Sequence, residues 1–171
     1  MMAELLDDYN QLLKGKMRKL NYYLSWVFIF QLIGFGLGQI SKANLEWYDS
    51  IAKSSFTPPN LAFPIVWSLL YILLALLGAF LWSNRKVPVL SHILIFYFIQ
   101  LLFNWLWTPV FFGLHLTYWS LLIIIIIFFI TMYIILKSWC NHRLIAYILI
   151  PYIVWISFAG YLNLIICKAN I

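Results

Sequence analysis

Phe63, Trp67 and Tyr71 recur at i, i+4 and i+8 in a stretch without formal charge, so on a helix they stand one above another on a single face. Gln100, Asn104, Trp107 and Phe111 form a similar stripe. Trp155, Ala159 and Asn163 form a third, with Pro151 one turn before it. Each stripe joins large rings to an amide or hydroxyl, the combination that makes an apolar small-molecule pocket with a few polar anchors. The same residues have a plainer use as packing rings and interhelical amide bonds. Asn104 and Asn163 would be costly against lipid, so either use directs them inward. Trp67, Trp107 and Trp155 lie nearer the first loop, which is where the stripes would converge. Trp26, Trp82 and Trp139 lie near segment ends, where an interfacial belt explains them.

Other chemistries have little support. No carboxylate lies within the apolar segments, and proton relays or ion-coupled carriers normally need one. No His-carboxylate pair accompanies the many Ser and Thr, so a hydrolase triad has no basis. His92 and His115 stand about 35 Å apart along one helix and cannot share a metal. Cys140 and Cys167 are separated by roughly 40 Å at opposite ends of the last segment, so neither a disulfide nor a metal site is expected.

The elements that must position the stripes follow from charge and length. Val87 to Leu136 contains no Lys, Arg, Asp or Glu, and Leu20–Ser41, Ser54–Asn84 and Leu144–Cys167 are equally free of them. About 20 apolar residues cross a bilayer's hydrocarbon, so these stretches hold five spans. They are predicted near Tyr22–Ile40, Leu61–Trp82, Ser91–Phe112, Leu116–Leu136 and Leu144–Cys167. The fold class is all-α, an integral membrane bundle. A composition 65% hydrophobic and 9% charged agrees. Continuous apolar runs such as Leu121–Ile130 do not alternate as barrel strands do. No cleavable signal peptide is expected, and five spans without an internal duplication argue against an inverted-repeat carrier.

The formal charge of +6 reads as topology, not as a nucleic-acid site. Eight of the eleven Lys and Arg (Lys14, Lys16, Arg18, Lys19, Arg85, Lys86, Lys137 and Arg143) share the side of the N-terminus, against Lys42, Lys53 and Lys168 opposite. The positive-inside rule then puts the N-terminus in the cytoplasm and the first loop and C-terminus outside. Residues 1–20 form a charged extension whose Leu5, Leu12, Leu13, Met17 and Leu20 recur at near-helical spacing. It reads as a helix lying on the inner leaflet or as a frayed tail. Residues 21–171 make the membrane domain. Gly34 and Gly38 allow a close helix neighbour, either another span or a second copy of the chain. The first loop, Ser41–Asn60, carries Trp47-Tyr48 and ends in Thr57-Pro58-Pro59-Asn60, with Asn60 as the expected cap of the second span. Its length suits a functional lid.

These stripes, with the loop, closely resemble the TspO/MBR family of tryptophan-rich sensory and translocator proteins. The resemblance covers about Trp47 to Asn170. It runs through Trp47-Tyr48, Thr57-Pro58-Pro59, Phe63, Val66-Trp67, Leu70-Tyr71, Gln100, Asn104, Trp107 and Phe111-Phe112-Gly113, then Pro151-Tyr152, Trp155, Phe158-Ala159, Leu162-Asn163 and Asn170. It implies a five-helix bundle, often dimeric, with a ligand cavity beneath the first loop. By matching position, Tyr48, Pro58, Phe63, Trp67, Tyr71, Asn104, Trp107, Trp155 and Ala159 would line that cavity. The family's ligands are porphyrins including haem and protoporphyrin, sterols in animal members, and synthetic isoquinoline carboxamides. Some bacterial members degrade protoporphyrin photo-oxidatively, a role that would fall here on Trp67 and Trp155.

Two departures matter. The family's Lys-Pro-x-Trp reads Lys53-Ser54-Ser55-Phe56, which loosens the loop. Six residues separate Tyr161 from Lys168, outside the spacing of the sterol pattern, which counts against sterols. The expected function is therefore a receptor or transport-associated protein for tetrapyrroles, with no bound cofactor. A light- and oxygen-dependent porphyrin-degrading enzyme is the alternative, and an interaction scaffold the plainest reading. His115, on the side of the first loop, is a candidate contact for a haem propionate or iron.

Overall fold

The computed structural model describes residues 2–170. Six α-helices follow in order: α1 (Met2–Ala43), α2 (Leu45–Ser50), α3 (Ala62–Ser83), α4 (Pro88–Thr108), α5 (Thr117–Ser138) and α6 (Arg143–Ala169). All but α2 are long and apolar enough to span a membrane, α4 together with the turn that continues it. Consecutive spans are antiparallel. α1 packs on α3, α3 on α4 and α6, and α5 closes the bundle against α4 and α6. Rings and aliphatic chains such as Phe28, Phe35, Leu102, Phe129 and Val154 are more than half exposed, as a lipid-facing surface requires.

α1 differs from its expected form. At 1.5 Å per residue its 42 residues reach about 63 Å, roughly twice the hydrocarbon thickness. A helix lying flat on the leaflet would need a break before Tyr22, and the backbone has none. The extension therefore continues the first span outward. Leu12, Met17 and Leu20 are exposed on it, while the Leu5 side chain lies outside the described residues.

Two boundaries are built by proline. Pro88 opens α4, where a missing N–H costs nothing. Pro109 begins a π-helical turn, Pro109–Gly113, closed by the Leu114 amide on the Pro109 carbonyl at 2.9 Å. His115 follows at φ 58°, a left-handed conformation that ends the span. The wider turn brings both Phe111 and Phe112 inward. Asn60 does not cap α3: its residue before the helix is Leu61, and the Asn60 amide reaches Asp49 Oδ1 instead, at 3.5 Å.

Packing divides the bundle in two. On the side of the N-terminus, Leu74, Leu77, Leu81, Ile93, Tyr97, Ile134, Ile145 and Leu149 are wholly buried. Gly78 permits this: a Cβ there would stand 2.6 Å from the Tyr97 hydroxyl and 2.8 Å from the Trp26 ring. Trp26 is thus wedged between α1 and α3 rather than lying free at the interface. On the side of the first loop the helices part, and the space between them is hollow.

Candidate functional site

The hollow is a cavity of about 800 Å³ bounded by α1, α3, α4 and α6 and roofed by α2. Seven of the nine residues singled out from the sequence stand on its wall: Tyr48, Phe63, Trp67, Tyr71, Asn104, Trp107 and Ala159. Pro58 lies in the loop outside the wall. Trp155 is not on the wall; it meets the Phe63 ring edge to face, centroids 6.0 Å apart. The Trp155 indole N–H is buried without a partner among the described residues.

The floor is a hydrogen-bonded chain across three helices. Tyr71 Oη donates to Asn104 Oδ1 at 3.1 Å, Asn104 Nδ2 donates to Tyr152 Oη at 3.0 Å, and Tyr152 donates to Gln100 Oε1 at 2.7 Å. Buried amides and hydroxyls in an apolar medium need such partners, and each here fixes the next. A second group centres on Asn163. Its Oδ1 accepts from Ser120 Oγ at 2.9 Å and from Trp107 Nε1 at 3.4 Å, while its Nδ2 donates to the Thr117 carbonyl at 3.0 Å. Trp107 is held by this bond and by parallel stacking on Phe111, centroids 4.9 Å apart at 12°. The α4 wall is thus a rigid aromatic plate.

The roof is tied down at several points. Trp47 stacks on His115 at 4.0 Å and meets Phe111 edge-on at 5.4 Å. His115 is therefore occupied by Trp47, with its Nε2 3.3 Å from Asn44 Oδ1, and it does not reach the cavity wall. Its suggested contact with haem iron or propionate has no geometric support, because the ring is spent on the roof. Tyr48 is buried beneath the Lys53 ammonium, which lies 4.5 Å above its ring, donates to its backbone carbonyl and pairs with Asp49 at 3.6 Å. Burial first, and the Asp49 carboxylate second, push the Tyr48 hydroxyl above its ordinary range. At the far end of the chain Asn170 pairs with both backbone groups of Ala52: Oδ1 accepts from its N–H at 2.9 Å and Nδ2 donates to its carbonyl at 3.0 Å. That two-bond clamp fixes the loop to α6.

The α1 wall carries the residues that the stripes did not reveal. Gln31, Gly34, Leu37, Gly38, Ser41 and Lys42 all border the cavity. The glycine pair signalled close approach, and the structure divides it. A Cβ on Gly34 would lie 2.6 Å from the Tyr71 ring, whereas one on Gly38 would meet nothing within 4 Å. Gly34 lets α1 touch α3, and Gly38 leaves room. Phe35 and Leu61, 69% and 70% exposed, belong to the lining from α1 and the start of α3, so the cavity opens sideways between these elements. Lys42 is the one charged side chain of the described lining, with no carboxylate beside it there. Among the described residues no cluster of His, Cys, Asp or Glu could hold a metal ion. The arrangement can hold a flat apolar molecule, offer its polar groups Tyr71 and Asn104 below, and meet an anion at the rim.

Comparison with known proteins covers the same region. The family model of TspO/MBR matches residues 25–168, taking in the first span as well as the part where the motifs lie. The chain is 35% identical over 127 residues to Protein CrtK of Rhodobacter capsulatus, covering 72% of this chain and 78% of the relative. It is 35% identical over 139 residues to the tryptophan-rich protein TspO of Archaeoglobus fulgidus, covering 81% and 90%. Over 132 residues it is 27% identical to the translocator protein of Homo sapiens, covering 74% and 76%. With a matching family model over most of its length and five membrane-spanning helices around one cavity, the chain belongs to the TspO/MBR family.

Proposed function

We propose that the protein is a membrane receptor or transport-associated protein that binds tetrapyrroles, haem or protoporphyrin, in the cavity beneath the first loop. The observation that carries this reading is the pairing of an aromatic-walled space of about 800 Å³ with a single cation at its rim. A tetrapyrrole is a broad apolar disc with carboxylates along one edge. Its faces match Trp67, Trp107 and Phe63, and its carboxylates match Lys42. Isoquinoline carboxamides, smaller and flat with one amide, fit the same wall. The names of two relatives, tryptophan-rich sensory protein and translocator protein, agree with a ligand-responsive role in a membrane.

Titration of the purified chain with protoporphyrin, haem and an isoquinoline carboxamide tests it. Saturable quenching of tryptophan fluorescence, weakened about ten- to a hundred-fold by Trp67→Ala, is the expected result, from roughly 1–3 kcal/mol of lost ring burial. Unsaturable binding, or an equal loss with Trp139→Ala, would leave only the scaffold reading.

Porphyrin degradation driven by light and oxygen is the second reading, favoured by Trp67 on the wall beside Tyr71 at 5.6 Å. Trp155, which is off the wall, would take part through its edge-to-face contact with Phe63. Illuminated protein should then give a new absorbing product that Trp67→Phe abolishes. The cytoplasmic N-terminus belongs to the same proposal, and a reporter fused after Ile171 should be active only outside the cytoplasm. A homodimer through the exposed α1 face is a further part, read by crosslinking in vesicles.

A further inference from the structure

A second cleft lies at the other end of the molecule, away from the cavity, where the outward extension of α1 overhangs the short connection between α3 and α4. It encloses about 890 Å³. Gln11, Lys14, Arg18 and Tyr22 follow one another at spacings of three and four, so they form one face of α1, the face that deeper in the membrane carries Trp26 and Phe30 against α3. Opposite stand Trp82 and Arg85.

Three features make this a site rather than a charged surface. Its wall holds four cations, Lys14, Arg18, Lys19 and Arg85, and no carboxylate among the described residues. The nearest described acid, Asp7, accepts the Gln11 amide at 3.4 Å from a turn farther out. Arg85 is held in place: its guanidinium lies 4.9 Å over the Trp82 ring and Nη1 donates to the Trp82 carbonyl at 2.7 Å. The space beside Gly15 on this wall is open, since a Cβ there would meet nothing within 4 Å, so only a bulky side chain would fill it. The depth is set as well. The floor is formed by Trp82 and by Tyr22, whose hydroxyl is fixed on the Ala79 carbonyl at 3.2 Å. Such rings sit at the membrane interface, so the cations above them stand at the level of lipid phosphates.

We propose that this cleft binds the phosphate headgroup of an anionic glycerophospholipid from the leaflet on the N-terminal side. Arginine forks suit phosphate oxygens, and basic recesses between spans are suited to acidic headgroups. The extension of α1, which the cavity does not need, then has a use as one jaw of a lipid site. The site is independent of cavity ligands and of which side of the membrane the N-terminus occupies.

The test is a titration of the purified full-length chain with phosphatidylglycerol or phosphatidylcholine in detergent, with bound lipid counted by native mass spectrometry. One phosphatidylglycerol should bind ahead of phosphatidylcholine. Arg18→Gln with Arg85→Gln should weaken it about twenty-five-fold, at roughly five-fold per cation near the surface. Gly15→Trp, which leaves the charge unchanged, should also remove it. Lys137→Gln with Arg143→Gln removes the same charge at another loop and should leave it intact. Equal weakening by the two double variants would overturn the proposal in favour of general charge attraction. Displacement by inorganic phosphate, beyond that caused by chloride of equal ionic strength, would overturn it in favour of a soluble anion. Circular dichroism of each variant confirms that helicity is kept.

Discussion

Asn104 joins the cavity floor to the bundle core, so its substitution should report how much that chain of hydrogen bonds stabilises. Asn104→Leu keeps most of the side-chain volume at a position 3% exposed and removes the bonds to Tyr71 and Tyr152. Interhelical hydrogen bonds in membrane proteins average about 0.6 kcal/mol each and reach about 1.7. Two of them give roughly 1–3 kcal/mol. The two tyrosines fare differently afterwards. Tyr152 still donates to Gln100, but Tyr71, 5% exposed, keeps a hydroxyl with no acceptor among the described residues. Adding Tyr71→Phe removes that stranded group, so the double variant should be more stable than the sum of the singles predicts, by about 0.6–1.7 kcal/mol. The assay is reversible unfolding of ligand-free protein in mixed detergent micelles, run as a double-mutant cycle. A control cycle pairs Tyr71→Phe with Ser120→Ala, which belongs to the separate Asn163 group and should show coupling below about 0.3 kcal/mol. Equal coupling in both cycles, or none in the first, would refute the chain as described.

Gly38→Phe should abolish protoporphyrin binding with helicity unchanged, while Gly36→Phe should not. Both positions have open space, but only Gly38 lines the cavity, so titrations on the two variants separate filling from folding. Lys42→Gln should weaken protoporphyrin by about five-fold, for the loss of one ion contact of roughly 1 kcal/mol, and leave its uncharged dimethyl ester unaffected. Asn170→Ala should speed hydrogen exchange at the Ala52 amide and across residues 44–60 while the α3 core stays protected, because the bonds lost are the clamp on the loop and one to the Ile166 carbonyl at the end of α6.

The five spans are legible because formal charges are confined to the connections, a constraint lipid imposes and chance does not. What was not legible depends on contacts distant in sequence. The six-residue α2 has no side-chain cap and too few residues to be stable alone; it is held by Trp47 on His115 and Tyr48 beneath Lys53. The i, i+4 spacing of Phe63, Trp67 and Tyr71 did place one wall of the cavity. Past Pro109 the π-helical turn breaks that spacing, which is why Phe112 joins Phe111 on the lining. Trp155 shares a stripe with Ala159 and Asn163, yet periodicity could not show that it would pack on Phe63 and stay off the cavity wall. The α1 wall was hidden for another reason. A glycine that admits a neighbouring helix and one that leaves space for a ligand are identical in sequence, and only the partner, Tyr71 in one case and nothing in the other, distinguishes them.

The division of the bundle into a hollow half and a solid half makes the chamber blind at its inner end. Beyond the Tyr71–Asn104 floor the helices meet through Leu74, Leu77, Tyr97 and Leu149, none of them exposed. A guest lodged in the chamber would find no passage through that packed half. The far leaflet would be shut off from it by these buried side chains. If the proposed ligand binds, its occupancy would follow its abundance on the side of the first loop, as a gauge requires. A conduit would have to separate Tyr97 from the Leu74 carbonyl it bonds at 2.6 Å and part helices joined through wholly buried side chains on every passage.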